Sequence, residues 1–396
     1  MSSLMPLQEA LEHITHTLDV ITPTESIPLL EALGRVLACD IESSINVPPA
    51  ANSAMDGYAV RCSDLASQSD LIVSQRIAAG QPPSPLAENS CARIFTGAEI
   101  PAGADAVVMQ ENTEIQGDRI HFLETVEAHQ NIRPAGQDIA KGMKVLSQGK
   151  RLNAIDIGVL ASIGVADVRV YCPLKVGILT TGDELQSPGA ALQSGQIYNS
   201  NGPLMTSLAQ SAGHQTVKVM HANDSVADTE QALQTLSEQC DIILSSGGVS
   251  VGEEDHVKHT IERNGTLHLW KIAIKPGKPL VFANVFNTPF IGLPGNPSST
   301  LVTFHLFARL ALAKAAGEQL TLPTPYPVKC HFSRKGNQSR DEFLRVHVQN
   351  GLAFPHAQQS SGALLAASQT DGYLHVPAKH DVTPDSEFNF YPFACF

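Results

Sequence analysis

From residue 173 to about residue 317 the chain alternates short apolar runs with amphipathic segments, and this alternation constrains its fold more than any other feature. VGILTTGDEL is an apolar run ending in a polar turn, and GPLMTSLAQSAG has helical spacing and closes on glycine. QTVKVMHAND is a second run, SVADTEQALQTLSEQ a second helical segment, and CDIILSSGG a third run. DHVKHTIERNG is helical and ends at Asn-Gly, and PFIGLPGNPSSTLVTFHLFARLALAKAAG gives a run, a loop and a long helix. Strands and helices at βαβ spacing predict a parallel, doubly wound sheet. Ligands of such sheets bind beyond the carboxyl ends of the strands. Four predicted ends carry polar clusters: TTGDEL after 176–181, HANDS after 215–221, GGVSVGEED after 240–246 and LPGNP after 289–292.

Those ends suggest a chemistry. Gly247 and Gly248 follow a buried strand, where turn N–H groups can face a phosphate. Glu253, Glu254 and Asp255 follow at once and would repel it. A divalent cation resolves the conflict, and Glu184, Asp224 and Asp255 are placed to meet at one edge as Mg²⁺ ligands. The competing reading is helix capping, with Asp224 before the helix at 225 and Asp255 opening the helix at 255. Lys271 and Lys275 are four apart, which on one strand puts both on one face toward an anion. An edge strand guarded by lysines is the alternative. Asn296 reads as an N-cap with Pro297 at the first helical position, leaving free N–H groups in the first turn. GxGxxG and GxxxxGK[ST] are absent, so neither a dinucleotide site nor a P-loop is supported. Ser245, Ser246 and Ser250 read as turn serines, without a nucleophile elbow. Asp56 in SAMDGYAV, on residue chemistry alone, reads as a structural turn.

The flanks differ. Helical spacing predicts helices over 6–20 and about 28–38. From 70 to 125 short β-like runs alternate with turns, one at Gly117-Asp118. Helical spacing returns over 149–164, which could pack back on the first helices and make the β region an insertion. Past TLPTPYP (321–327) the chain becomes β-like again. With 396 residues, two to four domains are expected. The net charge of −13 argues against nonspecific nucleic-acid binding and requires local basic groups or a metal for any anionic substrate. Seven scattered cysteines without a CxxC pair suggest reduced thiols and a cytoplasmic location. No signal peptide and no run of 18 apolar residues are evident, so no membrane span is expected.

With TTGDEL, SSGGVSVGEED, KPGKP and GLPGNP together, the chain resembles the molybdopterin molybdenumtransferases, with which the C-terminal part of gephyrin belongs. VPPAANSAMDGYAVR, IFTGAEIPAGADAVVMQE, NIRPAGQDIAKG and IYNSN extend the match nearly end to end. The resemblance implies a multidomain α/β plus β protein. Its parts would be a helical linker and dimerisation domain (1–45 and 140–172), a β-rich insertion (46–139), a doubly wound α/β molybdopterin-binding domain (173–320) and a C-terminal β-barrel (321–396). It implies an elongated homodimer and an Mg²⁺-dependent reaction. Adenylylated molybdopterin and molybdate would become molybdenum cofactor, with AMP released. Molybdopterin adenylyltransferase and proteins of molybdoenzyme maturation are the implied partners. Asp56, Thr96, Asp138, Glu184, Asp255 and Lys275 are the implied catalytic positions. Gly247, Gly248, Ser250, Lys271, Pro294, Pro297, Arg345 and Ser361 are the implied substrate contacts, and Glu184, Asp224 and Asp255 the metal ligands. This supersedes the turn reading of Asp56. The chain departs from the family at Gln137, where Glu is usual.

Overall fold

The computed structural model describes residues 4–249 and 256–396. Its centre is a six-stranded sheet in the order Gln215–Ala222, Lys175–Thr181, Ile242–Ser246, Thr288–Leu293, Pro279–Val285, Gly265–Lys271. The first four strands are parallel and the last two antiparallel to their neighbours. Alternation along the strands explains the two layers of helix. Val176, Ile178, Ile242 and Leu244 join one buried cluster with Met205, Ala209 and the residues of Pro297–Ala315. Leu179 and Ile243 join the opposite cluster with Leu233, Leu236, Val257 and Ile261. A strand period of two thus feeds both faces, and the doubly wound reading holds.

Helix Leu7–Thr17 buries Ala10, Leu11 and Ile14 in the first of these clusters, beside Leu310 and Leu312. Helix Ala154–Ser162 is capped reciprocally by Asn153 and Asp156 and packs on the turn Leu29–Glu31. The two helices therefore sit in different cores, and the return segment does not pack on the first helix. The helix expected over 28–38 is not formed. Strand Thr24–Pro28, one 3₁₀ turn Leu29–Glu31 and strand Val36–Leu37 occupy that stretch. Thr24–Pro28 and Val36–Leu37 flank Asp167–Tyr171 in a small sheet. Leu30 and Leu33 are 87% and 62% exposed, so the apolar spacing that imitated a helix is not a core face.

Strand Ile41–Glu42 pairs antiparallel with Lys144–Leu146, so the chain leaves and returns side by side. Between them lies a separate six-stranded sheet with its own clusters. Its hairpin at Gly117-Asp118 is as expected, with Gly117 at φ +69°. At the C-terminal side Asp341–Gln349, Leu352–Pro355, Tyr326–Cys330, Glu387–Pro392 and Gly372–Val376 close into a barrel, the last strand pairing with the first. Among the described residues no helix is long and apolar enough to cross a membrane.

Lys271 and Lys275 do not share a strand. The first ends Gly265–Lys271, whereas Lys275 lies in Ile274–Lys275, which pairs parallel with Asp341 and Glu342 of the barrel. Ile272 N–H donates to the Lys278 carbonyl, which breaks the run between them.

Candidate functional site

The order of the central sheet reverses between Lys175–Thr181 and Ile242–Ser246, and a cleft of about 550 Å³ opens at their carboxyl ends. Glu184, Asp224, Gly247, Gly248, Pro294 and Pro297 line it together. Gly247 and Gly248 have φ +93° and +64°. A Cβ on Gly247 would stand 2.6 Å from Thr181 Oγ1, and one on Gly248 would stand 2.5 Å from Val257 Cγ2. Glycine is therefore required on both counts, and the Gly247 N–H is held by the Leu293 carbonyl at 3.3 Å. Ser250 and Asp255, with Glu253 and Glu254, lie outside the described residues.

Asp224 is not a helix cap. Ser225 caps Val226–Gln239 by accepting from Asp228 N–H. Asp224 Oδ2 instead accepts from Asp183 N–H at 3.3 Å, and Asp183 Oδ1 accepts from Asp224 N–H at 3.0 Å. This exchange fixes the two turns against each other with oxygen atoms to spare. Glu184 is exposed, and its carboxylate lies over Gly182, where a Cβ would collide with it. Among the described residues no three His, Cys, Asp or Glu groups close on one point. The carboxylates still fit a hard cation that takes one or two protein carboxylates and completes its shell with phosphate oxygens and water.

The floor of the cleft is a buried polar network absent from the predicted site. Asn201 Nδ2 donates to Ser246 Oγ and to the Gly295 carbonyl, both at 2.7 Å, and Ser246 Oγ donates to the Pro294 carbonyl at 3.0 Å. Asn199 Nδ2 donates to Thr180 Oγ1 at 2.9 Å. Asn201 Oδ1 is buried without a partner among the described residues. IYNSN carries both asparagines, and no spacing rule in the sequence marks either as part of a site.

The first turn of Pro297–Thr303 is less open than the sequence suggests. Asn296 makes no side-chain cap, and Ser298 N–H donates to the Ser361 carbonyl at 2.9 Å. Arg345 is 2% exposed. Its guanidinium donates to Ser298 Oγ, to the Ala363 carbonyl and to the Ser360 carbonyl. Arg345 and Ser361 thus clamp the barrel onto the helix that carries Pro297, and neither lines the cleft.

Lys271, Lys275 and Asp138 also lie off the cleft lining. Lys275 Nζ sits 2.8 Å from Oε1 of Glu342, whose side chain is 2% exposed and also takes two hydrogen bonds from Arg334. Burial alone raises the Glu342 carboxyl. The hydrogen bonds from Arg334 and Lys275 outweigh it and hold the group below the usual range. Neutralising Lys275 is therefore not an ordinary surface change, because it removes a counter-charge from a buried carboxylate. In the inserted sheet, Asp56 Oδ1 accepts from Thr96 N–H at 2.7 Å and from Thr96 Oγ1 at 2.8 Å. These two bonds, with help from Arg93, lower the Asp56 carboxyl below its ordinary value. Asp138 is exposed, and its carboxylate has no hydrogen-bond partner among the described residues.

Sequence-family models match in the same order as these parts. The MoeA N-terminal region (domain I and II) matches residues 5–164, a probable molybdopterin binding domain 177–314, and the MoeA C-terminal region (domain IV) 327–393. A relative from Haemophilus influenzae named molybdopterin molybdenumtransferase is 43% identical over 90% of this chain and 87% of its own. The chain belongs to the molybdopterin molybdenumtransferase family. A second member, from Nostoc, is 34% identical over 95% of this chain and 90% of its own. The crystal structure of a molybdopterin biosynthesis moeA protein from Pyrococcus horikoshii superposes with a TM-score of 0.85 at 29% identity, covering 99% of this chain and 100% of the other. The family identity and the multidomain α/β-plus-barrel fold expected from the motifs are thus borne out.

Proposed function

We propose that the chain inserts molybdenum from molybdate into adenylylated molybdopterin, releasing AMP and forming molybdenum cofactor. It is an enzyme of molybdenum cofactor biosynthesis, as its named relatives are. The observation that carries the finer reading is the juxtaposition in one cleft of a glycine turn with Glu184 and Asp224. The Gly247 N–H is spent on the Leu293 carbonyl, so the Gly248 N–H is the turn donor that would face the pterin phosphate. Asn201, anchored to Ser246 and the Gly295 carbonyl, holds the floor in place. Glu184 and Asp224, with Asp255, would hold Mg²⁺, which neutralises phosphate charge when bound. Lys271 and Lys275 are proposed to meet anions at the margin, and Arg345 and Ser361 to fix Ser298 and Pro297 from behind. The direct test is incubation with adenylylated molybdopterin, molybdate and Mg²⁺. Stoichiometric AMP is expected, and its absence would reject the reaction.

Asp56, Thr96 and Asp138 stand apart from this chain's own cleft lining, which supports a site shared across a homodimer. The four domains named above and a cytoplasmic location belong to the same reading. So does hand-over with an adenylyltransferase and maturation proteins. Asp56→Ala and Glu184→Ala, each inactive as a homodimer, are expected to complement in mixed dimers. One of two sites then regains both residues, so random pairing returns about a quarter of wild-type activity. Purified mixed dimers as inactive as their parents would place both residues in a single chain's site.

A further inference from the structure

The small sheet of Thr24–Pro28, Asp167–Tyr171 and Val36–Leu37 forms one body with helix Ala154–Ser162. Its core is separate from that of the α/β region, and among the described residues no buried apolar cluster has members on both sides. The chain crosses between the two bodies twice, and the crossings run side by side. Cys172 N–H donates to the Pro23 carbonyl at 2.9 Å, and Thr22 Oγ1 donates to the Cys172 carbonyl at 2.8 Å. Relative motion is the default where two bodies share no large apolar interface, so the angle between these two must be fixed by something else.

Arg151, ahead of helix Ala154–Ser162, reaches across the seam to Glu318, just past helix Arg309–Ala315. Its Nε donates to Glu318 Oε1 at 2.9 Å and its Nη2 to Oε2 at 2.6 Å, the two-pronged pairing that holds direction as well as distance. Nη1 donates to the Gly34 carbonyl at 2.7 Å, which ties the guanidinium to its own body. The Glu318 side chain is only 8% exposed, so this pair is screened less than a surface one. Beside it Gln319 N–H donates to the Gly149 carbonyl at 2.8 Å. Glycines allow the close approach: a Cβ on Gly317 would stand 2.5 Å from the Tyr171 ring, and one on Gly213 2.5 Å from Arg151 Nη1. The seam is otherwise unfilled, with hollows of about 140 and 390 Å³ that both include Glu318 in their walls.

We propose that the Arg151–Glu318 fork is a positioning element for the reaction. It sets the angle of the body that carries the inserted sheet, and so the place at which Asp56 and Thr96 arrive over the cleft of a second copy. This rests on the shared site proposed above. The inserted sheet is joined to this body by the pairing of Ile41–Glu42 with Lys144–Leu146, and Val47 and Ile139 at its base pack into the same core. A rotation at the seam is therefore carried to the far end of the insertion as a larger displacement. Neither Arg151 nor Glu318 lines the cleft, so binding of substrate there does not depend on them.

The test uses the full chain. E318Q and R151M are each expected to lower kcat for AMP release about tenfold or more, with KM for adenylylated molybdopterin within about twofold of the parent, because a misplaced group costs rate and not cleft binding. Arg309 also feels the Glu318 charge, so an effect common to both variants is the one that belongs to the fork. The double variant should be no worse than either single one, since the two residues act as a unit. R151K keeps the charge without the two-pronged geometry and should fall between. Nitroxide labels carried by unnatural residues at the exposed positions Ala161 and Gln234 report the angle directly. Their distance distribution should be narrow in the parent and broader in both variants, with melting curves showing that the variants are folded. A folded variant with the parent's distribution overturns the proposal. So does a broadened distribution with parental kcat, and so does a loss confined to KM. Mixed dimers of Asp56→Ala and Glu184→Ala that fail to complement reject the shared site, and with it the use of this angle, whether or not the label distances move.

Discussion

Glu184→Gln and Asp224→Asn are each expected to lower AMP release by about 100-fold or more, because each keeps its shape and loses the charge that holds the cation. Both side chains are exposed, so stability should move by less than about 1 kcal/mol. In Asp224→Asn the new amide oxygen would still accept the Asp183 N–H, which separates the loss of charge from the loss of the turn. The measurement is AMP release across a Mg²⁺ titration, beside a melting curve. Wild-type turnover at every Mg²⁺ concentration in either variant would remove that residue from the metal site. A collapse in melting temperature would instead assign it to holding the two strand-end turns together.

The second large effect is on acid stability. Burial, reinforced by Arg151, lowers His214 to about 4, and burial, reinforced by Arg309, lowers His305 to about 3. The unfolded chain takes up these protons near pH 6.5. The stability tied to the neutral imidazoles is therefore fully present above about pH 6.5 and is lost as pH falls toward the folded values. For His214 alone the span corresponds to a loss on the order of 3 kcal/mol. His214→Asn cannot take up that proton, so its melting temperature should fall less between pH 7 and pH 4.5 than that of the parent. Measured by calorimetry, equal slopes for the two proteins would show that His214 is already charged or solvated in the folded chain.

The alternation of strands and helices was legible because the strands are buried on two faces. Val176 and Ile178 point one way and Leu179 the other, and both sets are apolar. Leu29, Leu30 and Leu33 were misleading for the opposite reason: helical spacing was present, but two of the three face solvent, and the strands on either side, Thr24–Pro28 and Val36–Leu37, pair with Asp167–Tyr171. In the site, Gly247 and Gly248 were readable because a strand followed by two glycines has few alternative uses. Asp224 was ambiguous between cap and ligand, and only the position of Ser225 removes it from the cap. Arg345 illustrates a limit of motif transfer. A matched position says that a residue matters, but not that its guanidinium is spent on Ser298, Ser360 and Ala363. Asn201 went unread because its use depends on Ser246 and Gly295, respectively 45 and 94 residues away.

The antiparallel pairing of Ile41–Glu42 with Lys144–Leu146 has a consequence for how the chain tolerates rearrangement. The two points where the inserted sheet joins the rest are neighbours, so replacing everything between them with a short turn would leave the remaining backbone continuous and unstrained. Closing such a gap costs little chain entropy, since the ends already meet. The inserted sheet carries its own clusters, Tyr58 with Phe122 and Ala59 with Ile94, while Val47 and Ile139 at its base pack into the core of the remaining part and would have to be kept. It is in effect a cassette on a two-strand handle: it can be lengthened, exchanged or tilted about that handle while the sheet that bears the cleft keeps its register.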